Sequence, residues 1–355
     1  MKAKWPIVVG VLLGVAVLGL IGGWYARNRA VVWGISEPGL KNLLVAVGQN
    51  LIVEDLSAAS LPWDKPDLTL RWLDPWSVDS PDPVVQTLSG PPPRDLLAFE
   101  VFGLLSAPST LLPPDFPRWL ADLDKKVPRV APLAVAGKTD AELMNLILWF
   151  GEGVLGPEAL ASSFTALAID PSASVDPSGT LSASHPWTPV LQEIRRWSAA
   201  GRLVPNWWDY TDVDVKNAVA EGKARWGLTW SGIHYSTAVG GVLTTAFRIP
   251  PAWPQRRSFS LVGRWLYRAS TDGWGDRTLV DETRKRLSSV AVSQMWLSTE
   301  GLLMADPALP AVNQESKALG IGFLSAGALV AGPSAVTDLS RWTPLLDAAR
   351  TVLRR

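Results

Sequence analysis

Apolar positions along this chain recur with two spacings, one close to two residues and one close to 3.6, and the alternation of the two sets out an α/β order. Short apolar runs at 31–35, 68–73, 96–102, 224–230 and 260–265 predict strands. Between them lie helical patterns. Leu40, Leu43, Leu44 and Val47 recur at i, i+3, i+4 and i+7 behind Pro38, so 38–47 is one helix following one strand. Further helices are predicted over 116–126, 189–200, 213–221, 280–299 and 339–353, with Gly201 and Gly222 ending the second and third of these. Over 140–150, Thr139 supplies an N-cap, Leu143, Ile147 and Phe150 line one face, and Gly151 and Gly153 are expected to stop the helix. Residues 77–94 hold five prolines and predict a surface segment, since proline cannot supply the hydrogen bonds of a central strand.

The first residues read differently. Lys2 and Lys4 precede an uncharged run from Ile7 to Gly23, which Arg27 and Arg29 follow. A helix from Trp5 to Tyr25 would rise roughly 30 Å, the thickness of a bilayer core, with Trp5, Trp24 and Tyr25 at the two interfaces. This predicts one membrane-spanning helix over 7–23, in the inner membrane of a bacterium, with the rest of the chain exported. The competing reading is a cleaved signal peptide, but Trp24-Tyr25-Ala26-Arg27 offers no small-x-small cleavage site.

Composition narrows the chemistry. Lys plus Arg equals Asp plus Glu at 33 each, so no net charge draws the chain to nucleic acid. Cysteine is absent and there are two histidines, His185 and His234, which leaves thiolate and multi-histidine metal sites without ligands. No metal or cofactor is expected. Asp209, Asp212 and Asp214 are closely spaced carboxylates, but their place at a helix start reads as capping and solvation rather than acid–base chemistry. Gly-x-Ser-x-Gly and phosphate-loop patterns are missing, so the expectation is a protein that is not an enzyme. The 19 Trp are about four times the ordinary share and ask for a role beyond packing.

Several segments, taken in order, resemble the extracellular solute-binding proteins of ATP-driven sugar importers, the group that includes the maltose-binding protein. Residues 188–230, TPVLQEIRRWSAAGRLVPNWWDYTDVDVKNAVAEGKARWGLTW, resemble that family's two helices, its Gly-Lys-Ala run (here Gly222-Lys223-Ala224) and the strand that follows. Phe247-Arg248-Ile249-Pro250-Pro251 and Leu261-Val262-Gly263 resemble the turn and the return to the other lobe. The stretch 288–314 resembles a helix with a Ser-x-Glu-Gly stop, and 111–153 the helix pair opening the C-terminal lobe. The resemblance covers about half the chain. Arg225-Trp226 departs from the small residue and Met usual in the Gly-Lys-Ala run, and the short passage from Phe99 to Phe116 implies a shortened N-terminal lobe.

The resemblance implies a two-lobed periplasmic-binding-protein-like fold of type II. Its N-terminal lobe would comprise 30–112 with 261–311, and its C-terminal lobe 113–260 with 312–355. It implies capture of a carbohydrate or similar polar solute between the lobes and delivery to the permease subunits of an importer. A ligand would meet loops at the C-terminal ends of strands. Those positions are Glu37, Asp74, Trp76, Trp230, His234 and Trp265, and Trp149 is a further aromatic candidate. An indole offers a flat apolar face to a sugar ring while carboxylates take the hydroxyl rim. Trp119, Trp197, Trp296 and Trp342 fall on apolar helix faces and are assigned to core, while Trp207-Trp208 splits into one inward and one outward ring. The alternative function is a degenerate solute-binding fold, tethered to the membrane as a structural or protein-interaction module of an envelope assembly.

Overall fold

The computed structural model describes residues 96–168, 181–236 and 244–251 without a break. It also describes 14–21, 30–34, 51–55, 68–73, 259–270, 277–287, 301–304, 328–333 and 338–354, and scattered positions between these. In chain order the strands are β1 (Ala30–Gly34), β2 (Leu51–Asp55), β3 (Leu68–Leu73), β4 (Leu96–Ser106), β5 (Ala131–Ala134), β6 (Ala224–Trp230), β7 (Ala246–Arg248), β8 (Phe259–Ser270), β9 (Leu303–Met304) and β10 (Ala328–Ala331). The helices are α1 (Phe116–Leu123), α2 (Asp140–Leu155), α3 (Pro157–Ala168), α4 (Thr188–Ala199), α5 (Asp212–Ala220), α6 (Ser231–Ser236), α7 (Arg277–Leu287) and α8 (Thr343–Arg354). The chain divides into two compact units, Met1–Trp72 with Tyr267–Ser293, and Leu73–Leu266 with Gln294–Arg355.

In the first unit β1 pairs in parallel with β2 and with β3, and α7 lies against β1. A parallel arrangement needs crossovers, and the predicted helix 38–47, which lies outside the described residues, falls in one of them. Residues 14–21 are helical and exposed. Among the described residues no helix is long and apolar enough to cross a membrane, and most of the proposed span 7–23 lies outside them.

The second unit is built on β4. Its outer half pairs antiparallel with β6, placing Phe102 opposite Trp230, and with β7, while Phe99 and Ala98 meet β9. β5 runs parallel to β6 on the far side, and the first residues of β8 pair in parallel with β10. Because β4 is bonded to β6 and β7, residues 96–106 belong to this unit rather than to the one that carries β1 to β3.

Helices α2, α4 and α8 pack on one another, α5 and α6 lie against β4 and β6, and the core is unusually aromatic. Phe116, Trp119, Trp149, Phe150, Trp197 and Trp253 form one cluster with ring centroids 4.3 to 6.3 Å apart. The expected core rings Trp119, Trp197, Trp296 and Trp342 are all buried. Thr139 caps α2 in a reciprocal box with Glu142, and Thr211 does the same for α5 with Asp214.

Gly151 and Gly153 do not stop α2, which continues to Leu155 and ends at Gly156 in a positive-φ conformation. They lie inside the helix because neighbours crowd them: a Cβ on Gly151 would meet Leu160, and one on Gly153 would overlap the Trp253 ring. The helix expected over 280–299 is described as α7, which begins at Arg277 and ends at Leu287.

Candidate functional site

The residue groups that could carry chemistry converge where β6 runs into α6. β6 delivers Thr229 and Trp230, and the chain turns directly into Ser231 and His234 of α6. Ser231 Oγ accepts a hydrogen bond from the Val101 backbone N–H of β4 at 3.2 Å, fixing the turn against the long strand. Gly301, at φ +64°, packs its Cα against Ser231 and Gly232, so the turn is held from a second side by bare backbone.

Trp230 was expected to line an open groove. Instead its ring is 4% exposed and meets Phe102 edge to face at 5.2 Å, because the antiparallel register places the two residues opposite each other. His234 is also buried. Its Nδ1 and Thr245 Oγ1 share a hydrogen bond of 3.0 Å, its ring lies 5.6 Å from Phe247, and its carbonyl accepts from Lys216 Nζ at 3.3 Å. Trp149 lies within the aromatic cluster at 4% exposure. Trp265 lies inside β8, which runs on to Ser270, rather than just past a strand end. Glu37, Asp74 and Trp76 lie outside the described residues. The structure therefore brings Trp230 and His234 together at one turn and places Trp149 in the core.

Beneath this turn lies a group the sequence reading assigned to capping and solvent. Asp214 does cap α5, and the Thr211 backbone N–H bonded to it holds its carboxyl below the usual range. Asp212, two residues earlier, is buried. Its Oδ1 accepts from Thr229 Oγ1 at 2.8 Å, and its backbone N–H donates to Glu142 Oε1 at 3.0 Å. The other oxygen of Glu142 accepts from the Thr139 backbone N–H at 2.8 Å, so one carboxylate serves the N-termini of both α2 and α5. Burial, then the negative charge of Glu142, push the Asp212 carboxyl up to about 7. Glu100 on β4 adds to the effect.

Burial and then the nearby Lys216 charge push His234 in the opposite sense, down to about 4. The folded state thus binds fewer protons than the unfolded state between about 4 and 6.5, and the stability His234 contributes is lost as pH falls through that window. Replacing His234 by Gln is expected to remove a contribution that falls by up to about 3 kcal/mol between pH 6.5 and 4, read as the difference between the urea-stability profiles of wild type and variant. An unchanged slope in the variant would show that another group titrates there.

Among the described residues no group of three or more His, Asp or Glu side chains is placed to hold a metal ion. No family model matches the sequence and no curated relative does. Solved structures, by contrast, match over nearly the whole chain. The bacterial solute receptor AcbH is 11% identical, covers 93% of this chain and 97% of its own, and superposes with a TM-score of 0.62. RafE from Streptococcus pneumoniae in its apo form gives 13% identity, 92% and 96% coverage, and a TM-score of 0.55. A probable secreted solute-binding lipoprotein from Streptomyces coelicolor gives 12%, 92%, 94% and 0.55. The fold is that of the solute-binding proteins. The order of segments noted in the sequence pointed to this fold, and the matches extend it across the chain.

Proposed function

We propose that this chain is an extracytoplasmic solute receptor that captures a carbohydrate or similar polar solute and presents it to an ATP-driven importer. The observation that carries this reading is the likeness to AcbH over 93% of the chain. AcbH is described as having an exclusive preference for β-D-galactopyranose, and another match of the same fold is RafE in complex with raffinose. In this proposal residues 7–23 tether the protein to the outer face of the cytoplasmic membrane. Ligand binding would shift an open–closed equilibrium of the two lobes. Trp76 and Trp265 would offer ring faces, and Glu37 and Asp74 the polar contacts.

A specific observation favours a second reading. Trp230, His234 and Trp149 are packed against protein, which suits a fold retained as a membrane-tethered interaction module. Calorimetry of the 355-residue chain in detergent against galactose, raffinose, maltose and chitin oligosaccharides separates the two. Saturable heat with at least one sugar, lost in Trp76→Ala, is the expected result. If every titration is flat and a stoichiometric protein partner co-purifies instead of permease subunits, the module reading replaces the receptor.

A further inference from the structure

We propose that the connection between α1 and β5, residues 124–130, is a basic tip that docks the second unit on an anionic phospholipid surface, with Val127 entering the headgroup layer among Lys125, Lys126 and Arg129. The inference is independent of sugar binding and draws on the proposed tether at 7–23 only for proximity to a bilayer.

The base of the tip is built by the two residues that depart from the Gly-Lys-Ala pattern. From β6, Arg225 Nη1 and Trp226 Nε1 converge on the Asp122 carboxylate, each at 3.0 Å. Arg225 also donates to the carbonyls of Asp122 at 2.6 Å and Lys125 at 3.1 Å, which holds the end of α1 and the start of the tip in place. Asp124 is taken by Arg202, whose Nε and Nη2 reach its two oxygens at 2.6 and 3.0 Å. Both acids are therefore answered from neighbouring elements, and cations are in excess: Lys125, Lys126, Arg129, Arg202 and Arg225 stand against Asp122 and Asp124. Lys223, whose carbonyl accepts from the Ala131 N–H, is balanced by Glu221. Among the described residues neither Lys126 nor Arg129 has a carboxylate partner. On a chain of zero net charge, such a local excess is what an anionic surface attracts.

The apex adds an apolar element. The Val130 N–H donates to the Val127 carbonyl at 3.2 Å, closing a turn with Pro128 at its second position and Arg129 at its third. Arg129 has φ +66°. Behind a proline that is a type II turn, whose third position suits glycine or asparagine on steric grounds. An arginine there is strained and gains no ion pair in return, which points its role outward. Val127 is 43% exposed, and Pro128 is exposed beside it. An apolar apex ringed by long cationic stems fits the boundary between acyl chains and phosphates, where the charged ends reach back to the phosphate level. An acidic protein patch would take the charges but leave Val127 and Pro128 against polar groups, so lipid is the occupant that satisfies both.

The chain has no cysteine, so Val127→Cys carries a single environment-sensitive fluorophore. The full chain is mixed with vesicles of phosphatidylcholine alone, or of equal parts phosphatidylcholine and phosphatidylglycerol. The docked fraction is read from the blue shift and from quenching by a lipid-borne nitroxide. The label is expected to enter the bilayer on the anionic vesicles and to stay aqueous on the neutral ones. Salt at about 1 M, where the Debye length is about 3 Å, should release it. A label at Ser162→Cys, exposed on α3, should stay aqueous throughout. Adding Arg129→Gly relieves the turn, so the urea midpoint should hold or rise while the docked-to-free ratio falls about fivefold. Lys126→Glu with Arg129→Glu should abolish docking. A label at 127 that stays aqueous on anionic vesicles overturns the proposal and leaves the tip to an acidic protein partner. So does an Arg129→Gly chain that docks as well as its parent, or a label at 162 that responds alike. Flotation with the neutral vesicles reads the tether separately, so its failure and that of the tip are told apart.

Discussion

Trp197→Ala is expected to lower the stability of the second unit by about 4 kcal/mol, read as a drop in the urea midpoint at unchanged slope. Trp197 sits on α4 at the centre of the aromatic cluster. Its ring is 1% exposed and lies within 6.3 Å of the centroids of Phe116, Trp119, Trp149, Phe150 and Trp253. Its Nε1–H donates to Glu193 Oε1 at 2.8 Å, and the Arg202 guanidinium, paired with Asp124, covers the ring at 5.4 Å. Alanine would leave a cavity bounded by rigid rings from two helices, α1 and α2, and by Trp253, which relax poorly. Phenylalanine should recover more than half of the loss. Trp208, half-buried beside Trp207, should cost about 1 kcal/mol as alanine, and a comparable loss at the two positions would remove the cluster from its central role.

The second large effect is expected at Gly301. Gly301→Ala should destabilise by about 3 kcal/mol, because two separate penalties coincide. At φ +64° an L-residue is strained, and the added Cβ would stand 2.7 Å from the Ser231 carbonyl oxygen and 2.8 Å from the Gly232 nitrogen. Those are backbone atoms, which cannot rotate aside. Gly201 and Gly222 provide the control: each has φ +70° with open space where the Cβ would go, so alanine there pays strain alone, about 1 kcal/mol. Equal losses at Gly201, Gly222 and Gly301 would mean that the close approach at the β6–α6 turn carries no weight.

How far the sequence could be read depends on which forces act locally. Strands β3 and β6 have the bounds their apolar runs predict, and the caps at Thr139, Gly201 and Gly222 lie where turn chemistry places them. Local signals failed where distant residues decide. Gly151 and Gly153 look like helix stops until Leu160 and Trp253 are seen to occupy the space beside them. β2, β5 and α3 were missed: β5 has four residues too few to show a period, and α3, opened by Pro157, carries its small residues without a clear stripe. The site followed the same rule. Trp230 and His234 were correctly placed beside each other in sequence, but the cross-strand ring of Phe102 and the hydroxyl of Thr245 that enclose them come from other parts of the chain. Asp212 was the largest miss. A Thr-x-x-Asp capping box accounts for Asp214 and hides its neighbour, whose surroundings are set by Glu142 and Thr229. The signal available was the excess: one cap needs one acid, and three were present.

The stacked pair Trp187 and Trp342, 6.2 Å apart with planes 9° from parallel, together with the larger ring cluster, has an optical consequence. Indole transition dipoles this near one another couple, so the native protein should display strong near-ultraviolet circular dichroism while its emission is shared and partly quenched among neighbours. Light absorbed anywhere in the second unit would then report on the packing of the whole rather than on any one ring.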